Sequence, residues 1–408
     1  MILLNEKQIF NVFDIFLIFI MMLLAFGNIG GAFSPVRIFA ISISYYAIRD
    51  LRLNFITKNF KNALLFLLVF FLYANLSLLW SNDSFSGFKE AFYHLLHIVI
   101  FIELVVLSKK SKQPLNSICI GWLVAVLITL PIAFQEIVFD EHLSLTVHET
   151  DKVSNFGEGV FLQRIYASAT FGNLNGYVTF LGLSLPFLCA NILLSQTFKN
   201  TLVTFFALLS ACSVVLINAS RGGIITILVV VSVMFYFYLK TERPHKYETF
   251  SLFFLVIVIF LVYENEFLFN QFQLRLKSAS LFEDSERIST LSGAIDLLHS
   301  SFFMGTGIGS IVESYKFLGL SDIYIPHNFL IEFAVQYGLL LVILLILFFA
   351  NIFYIGKSSS NYIVRFLTYA CFASLPFIGV VNSGYWLSTI FWCYISSLFA
   401  IVDSVHQS

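Results

Sequence analysis

Apolar residues along this chain come in long runs, broken by short clusters of polar residues. Runs of about 20 apolar residues are the mark of helices that cross a bilayer. Hydropathy places about 12 such spans: 12–27, 36–49, 63–80, 91–107, 115–138, 173–195, 201–218, 223–239, 250–268, 327–350, 363–381 and 386–403. The segments lack the period-two alternation of a membrane β-barrel. The expected fold is therefore an all-α polytopic membrane protein. One stretch stands out within it. "PHNFLIEFAVQYG" (326–338) opens the tenth span and runs into "LLLVILLILFFANIFYI", yet it carries His327, Asn328, Glu332 and Gln336.

The polar clusters orient the spans. With the N-terminus in the cytoplasm, Lys7 and the connections "RDLRLNFITKNFK", "SKKSKQP", "SQTFKN", "KTERPHKYE" and "GKSSSNYIVR" fall on the cytoplasmic side, with 14 of the 23 basic residues. The excess of Lys and Arg in short loops marks that side, so both termini are expected there. No small-residue cleavage site follows the first run, which reads as an uncleaved helix. Two external segments are long, about 139–172 and 269–326, and long loops are usually functional. The simplest organisation is a single membrane domain, 1–408, with these two loops outside and short helices in the larger one.

Composition adds little beyond this. The 408 residues are 59% hydrophobic and 12% charged, with a mean hydropathy of +0.88 and a net charge of −1, far from soluble usage. The five cysteines fall in apolar runs and read as small buried hydrophobes. No Walker motif, nucleic-acid patch or metal-ligand spacing is present, so no cofactor or metal is expected.

The candidate chemistry lies at the external ends of the spans. Arg164 sits in "FLQRIYASATFGNLNGY", Arg221 in the tight turn "NASRGG", and Arg287 in the amphipathic "EDSERISTLSGAIDLL". A guanidinium binds two oxygens of a phosphate at once and stays charged. Each arginine could instead pair with a carboxylate or reach headgroups; Arg221, between a tight turn and two glycines, suits that reading least. His327 follows Pro326, which favours a helix first turn. A helix N-terminus favours anions and disfavours an imidazolium, leaving the base-competent neutral ring. Asn328, Glu332 and Gln336 then lie four residues apart on one stripe, which must avoid lipid. "MGTGIGS" (304–310) reads as a flexible turn near the site. His94 and His97, with Glu103 two turns on, suit a proton relay, a metal pair or interhelical hydrogen bonds, the last being the commoner state of polar groups in a bundle.

"FGNLNGYVTFLGLSLP", "NASRGGIITIL", "ERISTLSGAIDLLHSSFFMGTGIG" and "HNFLIEFAVQYGLLL" occur in the order found in the O-antigen polymerase and O-antigen ligase superfamily, and the chain resembles it over about 165–345. The resemblance implies a type C glycosyltransferase fold in the bacterial inner membrane, independent of metal. Such proteins transfer a glycan from undecaprenyl pyrophosphate to a sugar hydroxyl on the periplasmic side. By that resemblance Arg221 and Arg287 hold the pyrophosphate, Arg164 is a third clamp, and His327 orients or deprotonates the acceptor. Asn175 of "GNLN", Asn328, Glu332 and Gln336 complete the substrate-binding set. The implied partners are an undecaprenyl-pyrophosphate-linked oligosaccharide, the bilayer and a chain-length regulator protein, without nucleic acid. In the ligase pattern His is followed by Asn, Ser or Gln, nine residues, Gly, two residues, then Gly, Thr or Tyr. His327, Asn328 and Gly338 fit; Leu341 departs. Polymerase is therefore the expected activity, with ligase as its alternative. A flippase is more remote, since it would place polar residues near the midplane, often with repeat symmetry.

Overall fold

The computed structural model describes residues 10–27, 29–49, 56–143, 166–240, 284–319 and 326–405. Thirteen α-helices occur among them: α1 Val12–Met22, α2 Pro35–Arg49, α3 Lys58–Leu76, α4 Ser84–Lys110, α5 Pro114–Phe139, α6 Leu174–Leu194, α7 Phe198–Ile217, α8 Arg221–Leu239, α9 Asp284–Ser300, α10 Ile311–Phe317, α11 Phe329–Lys357, α12 Tyr362–Ile378 and α13 Thr389–Val405. No strand occurs among the described residues, and seven of the helices are long and apolar enough to cross a membrane. The protein is an all-α polytopic membrane protein. Eleven of the expected spans coincide with helices, with ends that differ by up to seven residues. The ninth, 250–268, lies outside the described residues.

Local chemistry sets the helix starts. Asn11, Thr57, Asp83, Asn173, Thr197, Ser220, Asn328 and Asn361 each precede a helix, and their side chains accept hydrogen bonds from its first N–H groups. Apolar packing then assembles the bundle. α6 is buried along nearly its whole length, enclosed by α5, α7, α8, α12 and α13. α4 packs against α1, α2, α3 and α13, and α11 against α3, α9, α12 and α13. α3 presents Leu65, Leu68, Leu72 and Leu76 outward, as a helix on the lipid boundary does.

The connections sort onto two ends. At one end Lys109 pairs with Asp403 at 2.7 Å, with both side chains buried. Thr57 donates to the same carboxylate, and Asn11 donates to the carbonyl of Lys110. At the other end lie the starts of α4, α6, α8 and α11, with the segments 303–310 and 379–388. His327 belongs to this second end.

α11 is broken near its start. Gly338 has φ 79° and ψ 170°, outside any helix, so the carbonyls before it lose their helical donors. The segment after α9 fills the gap. Thr306 donates its N–H to the carbonyl of Val335 at 2.8 Å, Gly307 to that of Gln336 at 3.1 Å, and Leu339 donates to the carbonyl of Phe303 at 3.0 Å. The expected flexible turn at 304–310 is thus a wedge held inside a broken helix. Gly305, Gly307 and Gly309 all have positive φ, where a Cβ is unfavourable.

Candidate active site

α11 begins at the polar end, and its first turn is tied down on every side. Asn328 accepts from the N–H groups of Leu330 and Ile331 at 3.0 and 3.2 Å. The N–H of Phe329 goes to the carbonyl of Gly379, and that of Glu332 to the carbonyl of Asn328. The early N–H groups are therefore spent inside the protein, which corrects the expectation that this terminus could seat an anion on its backbone. What remains of that idea is the helix dipole. His327 stands immediately before this turn and is half-buried.

The stripe behind His327 is engaged rather than open. Glu332 is buried and accepts from the N–H of Gly384 at 3.0 Å. Gln336 is buried and donates its amide to Glu90 of α4 in a short hydrogen bond. The same Glu90 oxygen accepts from Gly309 at 3.0 Å. Glu90 thus links α4, the glycine wedge and α11. Nothing in its own sequence neighbourhood, "GFKEAFYH", announced that role.

Arg221 is the first residue of α8 and is exposed. Gly222, next to it, packs on the carbonyl of Phe377 and on Val381, and Gly379 between those two meets the ring of Phe329. Arg221 and His327 therefore flank the same end of α12. Arg287 lies in the first turn of α9. Further along that helix Ala294 and Leu297 pack with Val335 and Ile331 of α11, which brings α9 beside the helix that His327 precedes. Asn175, second residue of α6, is half-buried at the same end. Arg164 lies outside the described residues.

Two polar groups near this end escaped the sequence reading. Arg37 of α2 is only 6% exposed. It donates to the carbonyls of Gly31 and Leu387 at 3.1 and 3.2 Å, approaches Nε2 of His97 at 3.2 Å and covers the ring of Tyr93 at 4.5 Å. A guanidinium only donates, so Nε2 of His97 is the acceptor. His94 shares a 2.6 Å hydrogen bond with the hydroxyl of Tyr337, just before the break. Both histidines thus serve interhelical contacts. The second group is Glu136 at the end of α5, which accepts from the N–H groups of Ser168 and Ala169, both at 2.7 Å, and fixes the chain entering α6.

The arrangement places a histidine and an exposed arginine on either side of one helix end, backed by a polar network. Residues 205–346 match the family model described as O-antigen ligase. This part of the chain is similar to the O-antigen ligase family. The family segment carries Arg221, Arg287, His327, Asn328, Glu332 and Gln336, and leaves out Arg164 and Asn175. A curated relative, the teichuronic acid biosynthesis protein TuaE of Bacillus subtilis (strain 168), is 26% identical over 298 residues, which is 69% of this chain and 58% of the relative's length. Leu341, the departure from the ligase pattern within this O-antigen ligase segment, is fully buried. It fills the core beyond the break.

Proposed function

We propose that the protein is a surface-polysaccharide polymerase. It joins repeat units carried on undecaprenyl pyrophosphate, at the periplasmic face of the bacterial inner membrane. The observation that carries this reading is that His327 and Arg221, both in the segment matched by the family model, flank one end of α12, with α9, which bears Arg287, packed on the helix that His327 precedes. In the reaction the bond between the donor's anomeric carbon and the pyrophosphate oxygen breaks, and a bond to an acceptor sugar hydroxyl forms. His327 takes the hydroxyl proton; Arg221 and Arg287 stabilise the charge gathering on the departing pyrophosphate. Fixed positive groups aimed at developing charge are the largest single source of such catalysis. The polyprenyl tail would enter laterally from the bilayer.

The alternative is a ligase that transfers the glycan to lipid A-core. The relative is named for teichuronic acid biosynthesis, which favours chain synthesis over attachment to a lipid A-core. Purified protein supplied with lipid-linked repeat units alone tests the reading. A growing glycan ladder is expected, and transfer that occurs only when core acceptor is added would replace polymerase with ligase. His327→Ala and Arg287→Ala should abolish the ladder while the protein still folds. Ladders of wild-type extent from both variants would overturn the mechanism.

A further inference from the structure

A cavity of 640 Å³ opens at the end of the bundle remote from His327, among the last turns of α8 and α11 and the first turns of α12. Three cations from three helices line it: Lys240 at the C-cap of α8, Lys357 at the end of α11, and Arg365 near the start of α12. Tyr236, Tyr362 and Tyr369 form much of the wall. Lys240 donates to the hydroxyl of Tyr236 at 2.6 Å and lies 4.2 Å above its ring. No carboxylate stands among the described lining residues. Elsewhere at this end a buried lysine, Lys109, is matched by Asp403, so three cations around a cavity with no acid among its described lining residues are a distinct arrangement. Positive-inside loops alone would scatter such residues around the rim.

We propose that this cavity holds the phosphate headgroup of an anionic membrane lipid. The cations supply charge complementarity, and the tyrosines suit the headgroup level of a bilayer. The surroundings favour a lipid over a soluble anion. Leu239 and Tyr354, beside Lys240 and Lys357 along their helices, are 60% and 66% exposed, as side chains facing acyl chains are. The cavity is separate from the candidate transfer site, and the inference does not depend on which reaction that site performs.

Native mass spectrometry of the full-length protein in detergent, with phosphatidylglycerol, phosphatidylcholine or inorganic phosphate added, tests it. Phosphatidylglycerol should be retained and phosphatidylcholine lost, and millimolar inorganic phosphate should not displace the bound lipid. Neutralising one cation should weaken retention about fivefold, and Lys240→Gln, Lys357→Gln and Arg365→Gln together on the order of a hundredfold. Lys58→Gln with Lys61→Gln, two exposed cations on α3 at the same end, should leave retention unchanged. Unchanged retention in the triple variant overturns the proposal. So does equal retention of phosphatidylcholine, or displacement by inorganic phosphate, which would make this a soluble-anion site. If the triple variant does not fold, Lys357→Gln and the wild-type lipid competition decide the matter.

Discussion

The backbone N–H of Leu339 donates to the carbonyl of Phe303 at 3.0 Å, across the break in α11. This bond closes the wedge that the glycine segment drives into the helix, and it requires Gly338 to hold φ 79°. A Cβ there would stand 2.5 Å from the carbonyl carbon and oxygen of Met304 and from the carbonyl oxygen of Phe303. All three are backbone atoms and cannot rotate away. Gly338→Ala therefore meets both a conformational penalty and a clash, and should destabilise the protein by at least about 2 kcal/mol. A drop of several degrees in the melting temperature of detergent-purified protein is expected. Wild-type melting would show that the break is not held as described.

Glu90 joins three elements through one carboxylate, and its two substitutions should separate charge from hydrogen bonding. Glu90→Ala leaves the N–H of Gly309 and the amide of Gln336 without their acceptor. Stranding such groups costs about 1–3 kcal/mol. Both donors meet the same Glu90 oxygen, so Glu90→Gln can keep both hydrogen bonds on its one carbonyl oxygen and removes only the charge. The expected order of melting temperatures is wild type, then Glu90→Gln, then Glu90→Ala, with ladder synthesis falling in the same order. Equal melting of all three would show that Glu90 does not organise the wedge.

The spans were legible because hydrocarbon demands about 20 apolar residues in a row, whatever the helix packs against. The polar start of α11 was legible for the complementary reason: His327, Asn328 and Glu332 are costly anywhere in a span except at its edge or in its interior. What the sequence hid depends on partners far along the chain. Arg37 looks like one more residue in "SPVRIF" until Leu387, 350 positions later, accepts from it. Glu90 meets Gln336 at a separation of 246 residues. The break at Gly338 sits inside an unbroken apolar run, where glycine is ordinary for a membrane helix. The glycines of 304–310 read as a flexible turn near the site, and nothing local revealed that the segment fills a gap in a helix 29 residues onward. The N–H groups at the start of α11 looked available because only the fold reveals Gly379 as an acceptor.

Asp83 caps α4 and accepts from the N–H of Ser86 at 3.0 Å. The side chain and backbone of Ser86 hold its carboxyl below the ordinary value of 3.8. A carboxyl whose pKa is depressed by folding binds its proton more readily in the unfolded chain. Its contribution is therefore complete above the unfolded value and is lost as pH falls through the folded one. Asparagine caps helices about as well without titrating, so Asp83→Asn isolates the charge. Melting of wild type and Asp83→Asn, followed from pH 6 to pH 3, should show a wild-type advantage that shrinks below about pH 4. A constant difference across that range would rule out the ionised cap as its source.

Arg221 offers the sharpest separation of charge from geometry at the candidate site. It is exposed at the first position of α8, so its replacement should disturb packing little, and melting should stay near wild type. Lysine preserves the positive charge but not the planar fork that grips two phosphate oxygens. If Arg221 clamps a pyrophosphate as it leaves, Arg221→Lys should slow ladder growth by about ten- to a hundredfold, and Arg221→Ala by more, the scale of losing one electrostatic contact to the transition state. Initial rates under saturating lipid-linked donor distinguish this from weaker donor binding, which would disappear at saturation. A lysine variant as fast as wild type would mean that Arg221 supplies only diffuse charge, leaving the clamp to Arg287.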